Sequence, residues 1–106
     1  MNQKEFTHYI DKNMTEKQFG RQVEELARLC GWAYYHTWNS QHSVAGFPDY
    51  VFMKPPRILY CELKSEGGKV TRAQKNMLDM LNQCNQTTYI WRPSDWNDIE
   101  EVLRGD

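Results

Sequence analysis

Long apolar runs are missing from this sequence. Nothing in its 106 residues approaches the roughly 20 consecutive apolar positions of a membrane-spanning helix, so no membrane partner is expected. No cleavable leader is expected either, because the amino terminus is polar, and a cytoplasmic location is expected. Cysteine is sparse and unpatterned: Cys30, Cys61 and Cys84 form an odd set without CxxC spacing, which argues against a structural zinc site. Each falls in an apolar pattern, so all three are expected as small core residues in a reducing compartment. Excess charge is also missing. With 13 Lys and Arg against 14 Asp and Glu, the net charge of -1 offers no general attraction to polyanions, and nucleic-acid binding would need a local basic patch. No internal repeat, low-complexity tract or linker interrupts the chain, so residues 1–106 are expected to form a single domain.

What is present suffices for an ordinary core: 40% hydrophobic and 13% aromatic residues, including four Trp and six Tyr. Residues 1–13 are polar with scattered Phe6, Tyr9 and Ile10, consistent with a short helical arm. Thr15 with Gln18 three residues on is a capping-box pattern. Phe19, Val23, Leu26, Ala27 and Cys30 follow at helical spacing up to Gly31, which predicts an amphipathic helix from Thr15 to Cys30. Glu16 falls inside that apolar stripe, whereas Glu25 points away. Residues 32–37 (WAYYHT) read as a strand and residues 38–48 as a loop. Asn39, Ser40 and His42 in that loop suit hydrogen bonds to sugar or phosphate, making it a candidate substrate loop. His36 and His42 are candidate ligands or bases, a structural role being the commoner use of a lone histidine.

Residues 49–54 and 57–64 read as two strands joined at Pro55-Pro56, a hairpin. The second strand is apolar on both faces for most of its length, which predicts helices on either side. Thr71 with Gln74 is a second capping box, opening a helix whose stripe is Ala73, Met77, Leu81 and Cys84. Residues 87–91 (TTYIW) make another strand, and Pro93-Ser94 opens a last helix with Trp96, Ile99, Val102 and Leu103 inward. The strand-helix-strand step makes part of the sheet parallel. The expected fold is α/β: a three-layer sandwich with a mixed central sheet of about four strands flanked by helices.

In that fold Asp49 begins one strand of the hairpin and Glu62 ends the other, which brings both carboxylates to one end of the sheet. Charge on a covered strand must be paired or must coordinate something. A plain ion pair of Glu62 with Lys64, and Asp49 capping the turn after Pro48, would answer that need. With Glu16 entering from the first helix, three acids can instead converge, and hard oxygen ligands of this kind suit Mg²⁺ or Mn²⁺. Lys64 could then position or deprotonate an attacking water. Lys54, Arg57, Lys69, Arg72 and Lys75 are a candidate basic rim for backbone phosphates.

At these residues the chain resembles the PD-(D/E)XK nuclease signature: Gly46-Phe47-Pro48-Asp49, then Glu62-Leu63-Lys64. More narrowly, the Glu16-bearing helix, the GFPD turn, the ELKSE segment, the TRAQ helix start and the closing WRPSDW look like the VRR-NUC family, especially its small stand-alone phage and bacterial members. The resemblance implies that Asp49, Glu62 and the backbone carbonyl of Leu63 bind the metal, that Lys64 acts on the water, and that Glu16 completes the acidic set. Gln74 would contact the metal's water ligand, Lys64 or the phosphate, unless it serves only as a helix cap. It further implies a homodimer that cuts branched DNA such as four-way junctions, in a bacterial cell or phage-infected host, with no organic cofactor. Two other readings stand beside it. One is a non-catalytic nucleic-acid-binding module in which the acids merely pair with Lys64. The other, a sequence-specific restriction endonuclease, needs extra segments to read base edges.

Overall fold

Thr15 and Thr71 each start a helix by the same reciprocal pair of bonds. Thr15 Oγ1 accepts from the Gln18 amide at 3.1 Å while Gln18 Oε1 accepts from the Thr15 amide at 2.9 Å. Thr71 and Gln74 repeat the arrangement at the same two distances. These caps satisfy donors that a helix start otherwise leaves without partners. The computed structural model describes residues 1–37 and 44–105. In order these form α1 (Gln3–Asn13), α2 (Glu16–Leu29), β1 (Ala33–His36), β2 (Tyr50–Lys54), β3 (Arg57–Leu63), α3 (Arg72–Gln83), β4 (Thr87–Trp91), a single 3₁₀ turn (Pro93–Asp95) and α4 (Trp96–Arg104). The expected helices and strands are all present. The amino-terminal arm is a helix capped by Asn2, with none of its residues buried.

The four strands make one mixed sheet in the order β1-β2-β3-β4. β2 pairs antiparallel with both β1 and β3, and β4 lies parallel to β3. Alternation along β3 sends Leu59, Cys61 and Leu63 to one face, where they join Phe19, Val23 and Ala27 of α2 and Ile99 and Leu103 of α4 in the buried core. Trp32 closes this layer, its indole Nε1 donating to the Leu103 carbonyl at 2.9 Å. α3 covers the other face: its Gln74 reaches Glu62 of β3, and its Asn82 accepts from Thr88 Oγ1 of β4 at 2.8 Å. The result is the mixed-sheet α/β sandwich with helices on both faces that the residue pattern predicts.

The second face is less fully covered than the apolar character of β3 predicts. α3 has 12 residues, and Met53 and Ile58, paired near the hairpin turn, remain exposed. Within α3 itself Leu78 is the buried residue. Ala73, Met77 and Leu81 are half-buried, and Cys84, expected in the core, is exposed at the C-cap. Cys30 is half-buried and Cys61 fully buried. The expected stripe lies beside the most buried line of α3, which runs through Leu78, and the short helix leaves the rest of the stripe half-buried or exposed.

The turn before β2 is locked onto the start of α3. Gly46 has φ of 94°, and a Cβ there would sit 2.4 Å from the Ala73 carbonyl oxygen. Only glycine allows both the left-handed backbone and this approach. We therefore expect Gly46→Ala to lower the unfolding free energy by about 2 kcal/mol or more, read from urea denaturation. A variant as stable as the wild type would mean that this contact does not hold the turn to α3.

Candidate active site

β2 and β3 pair so that Tyr50 lies opposite Cys61, which puts Asp49 and Glu62 side by side at the open end of the hairpin. Their backbones and carboxylates are cross-linked: Asp49 Oδ2 accepts from the Leu63 amide at 3.0 Å, and the Asp49 amide donates to Glu62 Oε2 at 3.3 Å. Asp49 thus ties one strand to the next rather than capping its own turn. The opposite end of the hairpin, at Pro55-Pro56, is closed by a pair of Lys54 with Arg57 in the register.

α2 delivers the third acid. Glu16 is the first residue of that helix and is exposed, yet one of its carboxylate oxygens lies with those of Asp49 and Glu62 within a mutual 4.8 Å. Three like charges at such spacing repel strongly unless a cation or proton intervenes. Glu62 shows the strain most clearly, being 1% exposed. Burial first, and the neighbouring Asp49 carboxylate second, push its pKa from 4.5 to about 8, against the opposing pull of Lys64. A crowded set of carboxylate oxygens with one member wholly desolvated is the donor chemistry that a hard divalent cation relieves. The residues present therefore fit a hard divalent cation.

Two further side chains meet Glu62. Lys64 Nζ stands 3.7 Å from Glu62 Oε1, close enough for ionic attraction and too long for a good hydrogen bond. Gln74 Nε2 donates to the same Oε1 at 2.8 Å. Gln74 is a helix cap and a partner of Glu62 at once: Oε1 closes the α3 capping box while Nε2 faces Glu62. The cap fixes which end of the amide points at the acid.

The helix bearing Glu16 is held in register by contacts that sequence reasoning missed. Glu24, on the same helical face as Glu16, accepts from the hydroxyls of both Tyr50 and Tyr34. Tyr50 is buried directly after Asp49 in the chain, and burial together with the Glu24 carboxylate holds its hydroxyl pKa well above the usual range. Gly20 makes room for that hydroxyl, since a Cβ there would come within 3.2 Å of it. The signal in the sequence is the 16, 20, 24 spacing, one helix face carrying acid, glycine and acid.

The remaining candidates divide by place. Lys69, Arg72 and Lys75 are exposed around the start of α3, next to Gln74. Lys54 and Arg57 sit at the far end of the hairpin, on the order of 15 Å away at about 3.3 Å per residue, so they do not rim the acids. There Lys54 Nζ donates to the Cys30 carbonyl at 2.8 Å, and Arg57 donates to the Val102 and Gly105 carbonyls and lies over the Trp32 ring. His36 stacks on Tyr50 with ring centroids 4.4 Å apart. Asn39, Ser40 and His42 lie outside the described residues. A cavity of about 490 Å³ opens beside the acids, lined on the α2 side by Lys17 and Arg21, which the sequence reading also passed over.

A family model described as the VRR-NUC domain matches residues 3–94. No curated protein and no solved structure matches the chain.

The buried Glu62 makes stability depend on pH. Its pKa is raised on folding, so the folded state keeps a proton that the unfolded chain releases above 4.5. In a chelator, the Glu62 contribution to stability should be greatest below that value and fall by roughly 4 kcal/mol as pH rises to 8, measured by denaturant midpoints. Glu62→Gln should flatten this decline. An equally steep decline in that variant would remove Glu62 as its source.

Proposed function

This chain belongs to the VRR-NUC family, a family of nuclease domains, and from that membership and the site's geometry we propose that it is a divalent-metal-dependent, structure-selective endodeoxyribonuclease. The observation that carries the reading is the convergence of Glu16, Asp49 and Glu62 from three separate elements beside Lys64. Asp49, Glu62 and Glu16, with the backbone carbonyl of Leu63, would hold Mg²⁺ or Mn²⁺. Once bound, the ion supplies Lewis-acid stabilisation of charge on the phosphate and promotes ionisation of water.

The chain's own groups do the rest. The Leu63 amide keeps the Asp49 carboxylate turned toward the site, and Gln74 and the Asp49 amide hold the two oxygens of Glu62. Lys64, 13% exposed and adjacent to Glu62, positions the attacking water and offsets charge on the phosphate. Attack forms a new phosphorus–oxygen bond, breaks the bond to one bridging oxygen, and leaves a phosphate monoester and a free hydroxyl. The exposed cations Lys69, Arg72 and Lys75 at the start of α3 are available to backbone phosphates.

We assign branched DNA, such as a four-way junction, as the preferred substrate and a homodimer as the working form. A domain of this size has too little surface to grip two duplexes, and pairing two copies supplies both the surface and a second site. We place the activity in the cytoplasm of a bacterial or phage-infected cell. The competing reading, a non-catalytic binding module, would need only the Glu62–Lys64 pair. It leaves unexplained why Glu16 is brought from another helix to the same point.

Replacing Lys64 by alanine should reduce cleavage by about 10²-fold or more while leaving the fold and DNA binding intact. Cleavage at the wild-type rate would sink the assignment of Lys64. Activity should require Mg²⁺ or Mn²⁺ and vanish in a chelator; chelator-resistant cutting would exclude the metal site. Incubation with linear duplex, single strand, flap and four-way junction under matched Mn²⁺ should show the junction cut fastest, and equal cutting of all four would remove the junction preference.

A further inference from the structure

The cations of this chain are not evenly employed. Arg28 and Arg104 pair with Glu25 and Glu100 on their own helices. Arg92 donates to the Ser65 and Gly68 carbonyls at 2.7 Å, as Lys54 and Arg57 donate to carbonyls elsewhere. Among the described residues, Lys17 and Arg21 have neither an ion pair nor a hydrogen bond, although both line the cavity that contains Glu16 and Asp49.

Their isolation follows from how α2 is built. The acids that helical spacing offers to Arg21 are Glu24 and Glu25, at i+3 and i+4. Glu24 is held by Tyr34 and Tyr50, and Glu25 by Arg28. Lys17 and Arg21 are themselves four residues apart on one face, a like-charge spacing that disfavours the helix. Two cations without a direct ion-pair or hydrogen-bond partner, kept on one helix face at a small energetic cost beside the cavity, are free to take an anion from outside the chain.

We propose that Lys17 and Arg21 form a phosphate-binding subsite for the DNA backbone, on the opposite side of the acids from α3. This inference rests on the nuclease reading above and extends it. α2 packs on one face of the sheet and α3 on the other, with the acids at the sheet's end between them. A strand crossing that end meets Lys17 and Arg21 on one side of the scissile phosphate and the cations of Lys69, Arg72 and Lys75 on the other. The backbone is thereby gripped on both sides of the bond to be cut, which fixes its register over the acids and supplies basic contact that a net charge of -1 conceals.

The test measures binding of a labelled four-way junction in a chelator across a range of salt concentrations, for wild type, Lys17→Gln/Arg21→Gln and the control Arg28→Gln/Arg104→Gln. The α2 pair should weaken binding roughly tenfold or more and flatten the plot of log affinity against log salt by about 1.8, two phosphate contacts at 0.9 each. Its thermal midpoint should stay unchanged or rise, because a like-charge contact is removed, and its Mn²⁺ affinity by calorimetry should be retained. The control should show the wild-type slope. An unchanged slope in the α2 variant, or an equal loss in the control, overturns the subsite, and the nuclease reading survives if wild type cuts DNA in Mn²⁺. Wild type that neither binds nor cuts any DNA overturns both.

Discussion

The buried carboxylate of Glu62 is the constraint to which the rest of this structure answers. A carboxylate removed from water costs several kcal/mol or more unless its oxygens find partners, and here a second carboxylate, Asp49, stands beside it. The neighbouring elements each contribute to holding it. The residue before β2 offers the Asp49 amide, α3 offers Gln74, and the residue after β3 offers Lys64. Burial and the adjacent Asp49 still push the Glu62 pKa upward, so its charged form stays disfavoured in the free domain. A site with that property is built at the expense of the free domain's stability, a familiar pattern where function and packing compete.

The site is not an addition to the fold but part of its framework. Gln74 closes the cap that starts α3 and touches Glu62 with the same amide. Gly46 lets the turn before Asp49 rest on the first residues of α3. Tyr50, the residue after Asp49, anchors α2 through Glu24 and so sets the height at which Glu16 enters. Each acid is thus referenced to an adjoining element by a bond that also stabilises that element. Such double use is an economical way to hold side chains rigidly, because the bonds that stabilise the fold also restrain the rotamers of the acids.

Charge is distributed with the same division of labour. Away from the acids three cations fasten chain segments: Arg92 gathers the loop after β3, Arg57 grips the end of α4, and Lys54 holds the Cys30 carbonyl. Near the acids, on α2 and at the start of α3, cations are exposed and unpaired among the described residues. A nearly neutral chain can in this way present a local positive track, which is what sequence-independent binding to a phosphate backbone requires.

Much of this was legible in the residues alone. The two capping boxes, the apolar periodicity and the strand-like runs mark the helices and strands to within a residue or two, since these depend on neighbours three or four positions away. The Asp49 and Glu62 pairing also follows from the sequence, because a two-residue hairpin turn fixes the register. What only the tertiary structure decided are the relations between distant segments: that Lys54 and Arg57 serve carbonyls at the far end of the sheet, that Lys17 and Arg21 flank the acids, that Glu24 is the anchor of α2, and that Cys84 is exposed. Helical and strand periods specify which face a side chain takes, whereas what it meets there depends on how much of the opposing layer reaches that point and on which donors and acceptors are left open across it.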